Sequence, residues 1–344
     1  MIEVRTLTQG AQTAEEIAGG VIAFVDEAQH SLDVALYDVR LPGPVGDRVR
    51  ASLEGAAARG VAVRLIYNRD DARAGRPLPP PARTEPELLE SLAFPTKAIP
   101  GDPDLMHHKY LVRDSAHVWT GSTNWTLDSW EREENVIATV ASQPLAALYA
   151  ANFAELWRDP VVERSGEQDT RAIEVGDVSV RAWFCPGRGR ALSLRIAEAI
   201  GRARDRVRIA SPVITAGPIL GTLAEEIADG RLDVAGIVDG PQVDQVFHQW
   251  KLNGNAAWKT PLLQRVMSGR FATKASTPWN PGSVHDFMHA KITVADDTVF
   301  LGSFNLSHSG EMNAENVLEI ADRALADRLA AQIDEWRERY AGRP

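Results

Sequence analysis

An internal repeat constrains the fold more than any other feature of this sequence, because the chain passes twice through the same order of predicted elements. Each passage opens with an amphipathic helix, and in the first one Thr13 and Glu16 have the spacing of a capping box. Strand-like apolar stretches follow at 33–39, 61–68, 206–214 and 232–238. The alternation predicts an α/β protein of two similar halves, each a mixed β-sheet flanked by helices, with residues 1–165 in the first half and 166–344 in the second.

Composition narrows the class of protein further. With 344 residues and 44% hydrophobic side chains, the chain can bury two cores of common domain size. Its formal net charge of -10 excludes attraction of polyanions over the whole surface, but not a local basic site. Cys185 is the single cysteine, which excludes an internal disulfide framework and a thiolate zinc site. We find no leader-like start and no apolar run of about 18 residues, so the expected location is the cytosol, with at most peripheral attachment to a membrane.

Two connections differ from the rest of the repeat. The first, 76–86, is rich in proline and is predicted to be a surface loop. The second, between Asp244 and Asp286, contains no acidic residue and is predicted to be a basic, aromatic loop suited to an anionic substrate. Its cationic and aromatic residues are Lys251, Lys259, Arg265, Arg270 and Lys274, with Phe247, Trp250, Trp258, Phe271 and Trp279.

Each half also contains a His-x-Lys motif, followed at nearly equal spacing by Asp, Gly-Ser and Asn. The first copy consists of His107, Lys109, Asp114, Gly121, Ser122 and Asn124. The second copy consists of His289, Lys291, Asp296, Gly302, Ser303 and Asn305. Ten residues after each Asn comes the glutamate of a Glu-Asn-Val triplet, at Glu134 and Glu315. Because both copies occupy equivalent places, the motif belongs to the repeated unit and is not a chance match.

The residue types in the motif are those of phosphodiester chemistry. Residues i and i+2 of a strand face the same side, so each motif presents an imidazole and an ammonium group together. Two such pairs can surround one phosphodiester, with one neutral imidazole attacking phosphorus and the opposite imidazolium protonating the leaving alcohol. A carboxylate on the second ring nitrogen would hold the tautomer, and Glu134 and Glu315 are the candidates. The lysines, with Ser122, Asn124, Ser303 and Asn305, would stabilise charge on the non-bridging oxygens, so that neither a metal ion nor a cofactor is required.

The two motifs resemble the twin H-x-K-x4-D signature of the phospholipase D superfamily. Two motifs in one chain are similar to phospholipases D and cardiolipin synthases, while the first motif also resembles the nuclease and cardiolipin hydrolase branch. The resemblance implies two α/β halves around a pseudo-twofold axis, with the active site at their interface. By analogy with double-motif relatives it implies His107 as nucleophile and His289 as general acid. Asp114 and Asp296 are expected to be structural, pairing with backbone or basic groups at a strand end.

The substrate is less constrained than the reaction. The leading interpretation is a phospholipid at a membrane surface, hydrolysed or transferred to an acceptor alcohol, because the two-motif chain and its aromatic segment favour it. The alternative is a nuclease that cleaves DNA or RNA by the same two-histidine mechanism, favoured by the first motif and the basic stretch. A small or cyclic phosphodiester is a third substrate class. Since both motifs lie in one chain, a monomer is sufficient to form the site.

Two further readings of the motif region are less well supported. A non-catalytic phosphate-binding protein is disfavoured because both His-Lys pairs are complete. His285 and His289 have the spacing of a zinc motif, but Pro278 and Pro281 leave little helix to carry it and no third ligand is indicated.

Overall fold

The computed structural model describes residues 1–69, 89–254, 256–278 and 283–341. In these residues each half of the chain forms one large mixed β-sheet, and helices pack on both sheets. The predicted α/β class with two similar halves is therefore confirmed, while the boundary after residue 165 stays a prediction. The proline-rich connection 76–86 and Trp279 lie outside the described residues.

The first half contributes nine strands and four regular helices within the described residues. They are β1 (Ile2–Leu7), α1 (Ala14–Asp26), β2 (Ser31–Leu36), β3 (Val39–Arg40), α2 (Gly43–Ala58), β4 (Ala62–Arg69), β5 (Thr96–Pro100), β6 (Lys109–Arg113), β7 (His117–Gly121), β8 (Trp125–Thr126), α3 (Leu127–Glu131), β9 (Asn135–Ala141) and α4 (Gln143–Arg158). A short 3-10 turn, Val162–Arg164, leads toward the second half.

The second half repeats this order, with an extra edge strand at its start. Its described elements are β10 (Ile173–Val175), β11 (Val178–Phe184), α5 (Gly189–Arg202), β12 (Arg206–Ala210), α6 (Gly217–Asp229), β13 (Asp233–Asp239), α7 (Gly240–Asn253), α8 (Thr260–Ser268), β14 (Arg270–Lys274), β15 (Ile292–Ala295), β16 (Thr298–Gly302), α9 (His308–Met312), β17 (Asn316–Ala321) and α10 (Arg323–Tyr340).

Strand order confirms that the halves are copies of one topology. The first sheet runs β1-β9-β7-β6-β2-β4-β5, and the second runs β10-β11-β17-β16-β15-β12-β13-β14. In both sheets the last three strands are parallel and the remaining pairs are antiparallel. Strands β6 and β15, which follow the two motif histidines, therefore occupy equivalent central positions.

A shared core joins the two sheets. Helices α4 and α10 contribute Tyr149, Phe153, Leu329 and Trp336 to one apolar cluster that also contains residues of both sheets. The indole Nε1 of Trp336 donates to Thr8 Oγ1 at 2.7 Å, which ties the last helix to the first half. Separate clusters lie under α1 and α2 and under α5, α6 and α8. In the part of the chain that the structure describes, no helix has both the length and the apolarity to cross a membrane.

The first helix begins as its sequence predicts. Glu16 N donates to Thr13 Oγ1 at 3.3 Å, and Thr13 N donates to Glu16 Oε2 at 3.2 Å, so the capping box is complete. These two bonds satisfy the backbone N–H groups of Thr13 and Glu16, which the helix itself leaves unpaired at its N-terminus.

The basic, aromatic connection was expected to be a loop, and this expectation is wrong. The described part of it folds into α7, α8 and β14. Pro241 and Pro261 lie in the first turns of α7 and α8, where the missing N–H of proline is not needed, so they start helices instead of breaking them. Leu263 and Val266 then bury the apolar face of α8 in the outer core.

The two motif aspartates lie at strand ends and bind backbone. Asp114 follows β6, and its carboxylate accepts the N–H groups of Gln29, His30 and Ser31 at 3.0, 2.7 and 2.9 Å. Asp296 follows β15 and accepts three backbone N–H groups in the same way, from Arg204, Asp205 and Arg206. Both residues have a left-handed backbone, with φ of 51° and 48°. Each carboxylate therefore caps the turn that leads into the neighbouring strand β2 or β12.

Replacing either aspartate is expected to lower stability in a pH-dependent way. Burial alone would raise the pKa of Asp114, but the N–H groups of Ser31, Gln29 and His30 lower it below its usual 3.8. A lowered folded-state pKa stabilises the protein above the unfolded-state pKa, and this contribution is lost as the pH falls through the folded-state value. Asp114→Asn should reduce the free energy of unfolding at pH 7 by about 1–3 kcal/mol, and the deficit should shrink below pH 3.8 in urea titrations. Unchanged stability with lost activity would instead place Asp114 in the catalytic machinery.

Candidate active site

Both motif histidines line one small cavity between the two halves. The cavity holds about 70 Å³, and Tyr37, Asn124 and Asn305 line it together with His107 and His289. Each histidine is fixed to the opposite half of the chain through its backbone. His107 N donates to Ala314 O at 2.9 Å, and His289 N donates to Glu134 O at 3.1 Å. The site therefore exists only where the halves meet.

Each residue before a motif histidine is also held, by a side chain that the sequence did not single out. Met106 N donates to Asn68 Oδ1 at 2.9 Å, at the end of β4. Met288 N donates to Asp239 Oδ2 at 2.9 Å, at the end of β13. Asp239 is fully buried, and burial raises its pKa to about 6. These two side chains position the motifs along their central strands.

The motif lysines are buried beside their own histidines. Lys109 Nζ donates to His107 O at 2.6 Å and lies 4.7 Å from the centre of the Tyr37 ring. Lys291 Nζ donates to His289 O. Burial lowers the pKa of Lys109 to about 7, although Glu315 opposes the shift, and burial together with Lys109 holds the pKa of Lys291 well below its usual value. A phosphate anion in the cavity would stabilise both ammonium groups, so the site is electrostatically prepared for an anion.

A carboxylate from the second half holds the first histidine. His107 Nδ1 lies 2.8 Å from Glu315 Oε2, and both side chains are almost fully buried. Burial and the charges of Lys109 and Lys291 keep the pKa of His107 well below its usual value. Burial raises the pKa of Glu315 to about 8 against the opposite effect of Lys109. The Nδ1–Oε2 contact holds the imidazole by one ring nitrogen, and Nε2 is the ring nitrogen available for chemistry.

The second histidine is held differently. His289 Nδ1 lies 3.1 Å from Asn135 Oδ1 and 3.4 Å from Glu133 Oε2. Burial raises the pKa of Glu133 to about 7, while its hydrogen bond from Ser129 Oγ at 2.6 Å opposes the shift. Burial, Lys291 and Lys109 keep the pKa of His289 well below its usual value. An amide oxygen therefore accepts the N–H of His289, with a carboxylate just beyond it.

The structure does not bring Glu134 to a histidine. Its Oε2 lies 2.5 Å from Lys274 Nζ, and its Oε1 accepts from Tyr340 OH at 2.5 Å and from Gln9 N at 3.2 Å. Glu134 and Lys274 are both buried, so this ion pair neutralises a cation that the sequence had placed among the substrate-facing charges. Of the two glutamates predicted to support the histidines, only Glu315 lies at one.

A one-residue offset between the halves explains this difference. Ser122 N donates to Val136 O, fourteen positions on, whereas Ser303 N donates to Asn316 O, thirteen positions on. A Cβ on Gly121 or Gly302 would lie 2.1 Å from those same carbonyl oxygens, which fixes the register at both places. In three dimensions Asn135 therefore corresponds to Glu315, although the Glu-Asn-Val triplets align in sequence. By the same correspondence Glu133 occupies the place of Asn313, so the carboxylate and the amide have exchanged places between the halves.

The predicted phosphate-binding residues divide into two kinds. Asn124 and Asn305 line the cavity, and the Oδ1 atom of each is buried without a hydrogen-bond partner. Ser122 Oγ instead donates to Asn135 Oδ1 at 2.6 Å and accepts from Val136 N at 2.9 Å. Ser303 Oγ accepts from Asn316 N at 3.0 Å. The asparagines are thus placed to meet a ligand, while the serines hold the strands that carry Asn135 and Glu315.

Two buried imidazoles from two similar sheets line one cavity, and each has a buried lysine bonded to its own carbonyl, which is the arrangement expected of a two-histidine phosphodiester site. The family model described as "Cardiolipin synthase, PLD-like domain" matches residues 21–157 and 196–337. The chain therefore belongs to the phospholipase D-like family, as its twin motifs predict. Family and site together support the expected enzyme class, a phosphodiesterase.

Individual relatives extend this comparison. Mitochondrial cardiolipin hydrolase of Xenopus tropicalis is 29% identical over 132 residues, which cover 38% of this chain and 57% of that protein. Phosphatidylserine synthase of Haemophilus influenzae has a TM-score of 0.61 at 15% identity, over 98% of this chain and 86% of that one. Polyphosphate kinase of Porphyromonas gingivalis has a TM-score of 0.59 at 13% identity, over 97% of this chain and 46% of that one. At such identities the two structures show that the fold, including both halves, is shared.

Neighbouring glutamates allow a matched test of the offset. Glu133→Gln removes the carboxylate nearest His289 Nδ1, so the pKa of His289 should fall further and the basic limb of kcat/KM should move to lower pH. The rate should fall by on the order of 10-fold to 100-fold. Glu134→Gln should leave the pH profile of kcat/KM unchanged. It should leave the buried charge of Lys274 without its carboxylate partner, which costs about 3–5 kcal/mol of stability. A pH profile that moves in Glu134→Gln and not in Glu133→Gln would contradict the assigned register.

Proposed function

We propose that this chain cleaves the phosphodiester of phospholipids, by hydrolysis or by transfer to an acceptor alcohol, through a phosphohistidine intermediate. The observation that carries the proposal is the meeting of His107 and His289 in one cavity, each with its motif lysine bonded to its carbonyl and with its Nδ1 already engaged. Such engagement leaves both Nε2 atoms for chemistry on a substrate between them.

The two imidazoles differ in the group that lies next to Nδ1, and this difference favours His107 as the nucleophile. In the first step His107 Nε2 attacks phosphorus and the bond from phosphorus to the leaving oxygen breaks. The phosphorylated imidazole becomes cationic, and Glu315, 2.8 Å from Nδ1, stabilises that charge. His289 has an amide at the equivalent place, and its nearest carboxylate oxygen, Glu133 Oε2, lies farther away, at 3.4 Å from Nδ1. The stronger electrostatic support therefore lies where positive charge must develop.

His289 then acts first as acid and next as base. Its Nε2 proton passes to the leaving alcohol oxygen in the first step. In the second step the same Nε2 takes a proton from water or an acceptor alcohol, whose oxygen attacks phosphorus and breaks the P–N bond. Binding of the phosphate anion favours protonation of His289, because it opposes the lowering of the His289 pKa by burial, Lys291 and Lys109.

Charge on the non-bridging oxygens would be stabilised by the protein alone. Lys109 and Lys291 flank the two histidines, and the side-chain amides of Asn124 and Asn305 line the same cavity. Preorganised donors in a buried site stabilise developing charge without reorganising at the moment of reaction. The proposed reaction accordingly needs neither a metal ion nor a cofactor.

A lipid substrate is favoured over nucleic acid by two observations. The matching family model is described as cardiolipin synthase, and the similar Xenopus tropicalis protein is named a cardiolipin hydrolase, so both names refer to a phospholipid. The formal net charge of -10 also disfavours a long polyanion, whose binding depends on many phosphate contacts. The exposed cations Lys251 and Arg265 are what favours the alternative, a nuclease with the same chemistry.

The substrate class can be decided in one comparison. Vesicles of phosphatidylcholine or phosphatidylglycerol and single-stranded DNA are incubated separately in excess EDTA, with wild type and with His107→Ala. Turnover of lipid by wild type alone is expected, because the variant lacks the nucleophile. Turnover of DNA alone would replace the proposal by the nuclease, and loss of all turnover in EDTA would contradict a metal-independent reaction.

The division of roles predicts a trapped intermediate. With a p-nitrophenyl phosphodiester, whose leaving group needs no protonation, His289→Ala should complete the first step and stall at the second, since it lacks the base. Mass spectrometry after alkaline denaturation should then show one phosphoryl adduct on His107. The double variant His107→Ala with His289→Ala is the control, and an adduct that persists in it would assign the nucleophile elsewhere.

A further inference from the structure

A surface near the active site has a character opposite to that of the whole molecule. From 245 to 285 the sequence contains no acidic residue, although the chain as a whole has a formal net charge of -10. Within the described residues of this stretch, Leu252 is 70% exposed and Trp258 is 59% exposed. Large apolar side chains at this exposure, next to cations, indicate a contact surface for a partner that is both apolar and anionic.

The side chains of this surface hold one another in place. Lys259 Nζ lies 5.4 Å from the centre of the Trp258 ring and 6.0 Å from that of Trp250. The same Nζ donates to Thr215 O at 2.8 Å, so the cation is anchored to the body of the second half. Lys251 and Leu252 lie at the end of α7, directly after Trp250. We call the five residues Trp250, Lys251, Leu252, Trp258 and Lys259 the basic aromatic platform.

Helix α7 connects the platform to the wall of the catalytic cavity. Helix α7 carries Gln242 of the cavity wall in its first turn and Trp250 eight residues later, which corresponds to about 12 Å along the helix axis. The loop that anchors Lys259 also leads back to the site, because Thr215 N donates to Leu306 O, next to the cavity residue Asn305. A partner bound at the platform therefore lies beside the opening.

We propose that the basic aromatic platform docks the enzyme on a bilayer containing anionic lipids, with the cavity mouth toward the membrane. This inference rests on the proposed function, since it explains how a lipid phosphodiester reaches a buried site. Indole rings and aliphatic side chains favour the membrane interface, and ammonium groups beside them are attracted to anionic headgroups.

Nucleic acid fits the same surface less well. Leu252 offers no ring on which a base could stack, yet it is the most exposed apolar member of the platform. Two lysines can meet few phosphates, while the remaining surface of this acidic protein would repel a longer strand. Apolar exposure together with a small cationic patch therefore favours a bilayer.

Vesicle sedimentation tests the proposal without depending on turnover. The full chain carrying His107→Ala is mixed with vesicles of phosphatidylcholine alone or with phosphatidylglycerol, at low and high salt. Binding should need phosphatidylglycerol and should weaken with salt. Trp258→Ala and Leu252→Ala should each lower the partition coefficient about fivefold or more. Lys251→Ala should lower it by about fivefold, from about 1 kcal/mol per cation near the surface.

Leu194→Ala is the matched control, because Leu194 is 52% exposed on α5 and lies outside the platform. This variant should have the same vesicle partition coefficient as the chain that carries His107→Ala alone. The proposal would be overturned if Leu194→Ala and Leu252→Ala lowered the partition coefficient equally, or if vesicle binding did not depend on phosphatidylglycerol. Absence of vesicle binding with platform-dependent binding of single-stranded DNA would assign the surface to nucleic acid instead.

A second readout separates this inference from the proposed function. With the catalytic histidine restored, Trp258→Ala should lose turnover on vesicles but keep it on a short-chain phosphatidylcholine dissolved as monomers. Equal losses on both substrates would contradict a docking role. If wild type cleaves neither lipid but the predicted vesicle binding is observed, the docking role of the platform is supported and the proposed phospholipase activity is contradicted.

Discussion

The site depends on hydrogen bonds that each motif makes with the opposite half of the chain. His107 and His289 are fixed through their backbone N–H groups to residues 314 and 134, and their ring nitrogens find acceptors on those same opposite strands. Each half buries one histidine and one lysine where the halves meet, and burial of unpaired charge is costly. Glu315 and Glu133 supply the compensating carboxylates only after the halves have joined. Duplication of the fold and construction of the site are therefore one structural requirement.

The one-residue offset converts a symmetric scaffold into an asymmetric site. Gly121 and Gly302 fix the same local packing in both halves, yet the positions that reach the histidines carry Asn135 in one and Glu315 in the other. In the proposed mechanism, the carboxylate of Glu315 would stabilise a cationic intermediate on His107, whereas the amide of Asn135, with Glu133 beyond it, would allow the proton of His289 to leave and return. Two histidines with identical neighbours would have no physical reason to divide the two roles.

Sequence patterns predicted the repeated α/β fold and the meeting of both His-Lys pairs, because periodicity and motif spacing are local properties. Glu315 was also found by spacing. Glu134 was not brought to His289, since strand register is decided by packing against β7 and not by the order of letters in a triplet. Asn68 and Asp239 left no signal, because each lies about 40 to 50 positions before the residue that it holds. The connection between Asp244 and Asp286 was predicted to be a loop, but Pro241 and Pro261 lie in the first turns of α7 and α8 and are compatible with helix starts there.

Electrostatics act here at two separate ranges. Pairing of Lys274 with Glu134 in the interior removes one cation from the substrate-facing set, and Arg270 pairs with Asp233 at the surface. On α7 and just after it, the exposed Lys251 and the half-buried Lys259 carry no such ion pair with a carboxylate among the described residues. At physiological ionic strength charges are screened over about 8 Å, so these lysines act on an adjacent surface while the distant acidic residues contribute little to it. A net negative protein can therefore approach an anionic bilayer in one orientation, and that orientation is set by the same helix, α7, that borders the catalytic cavity.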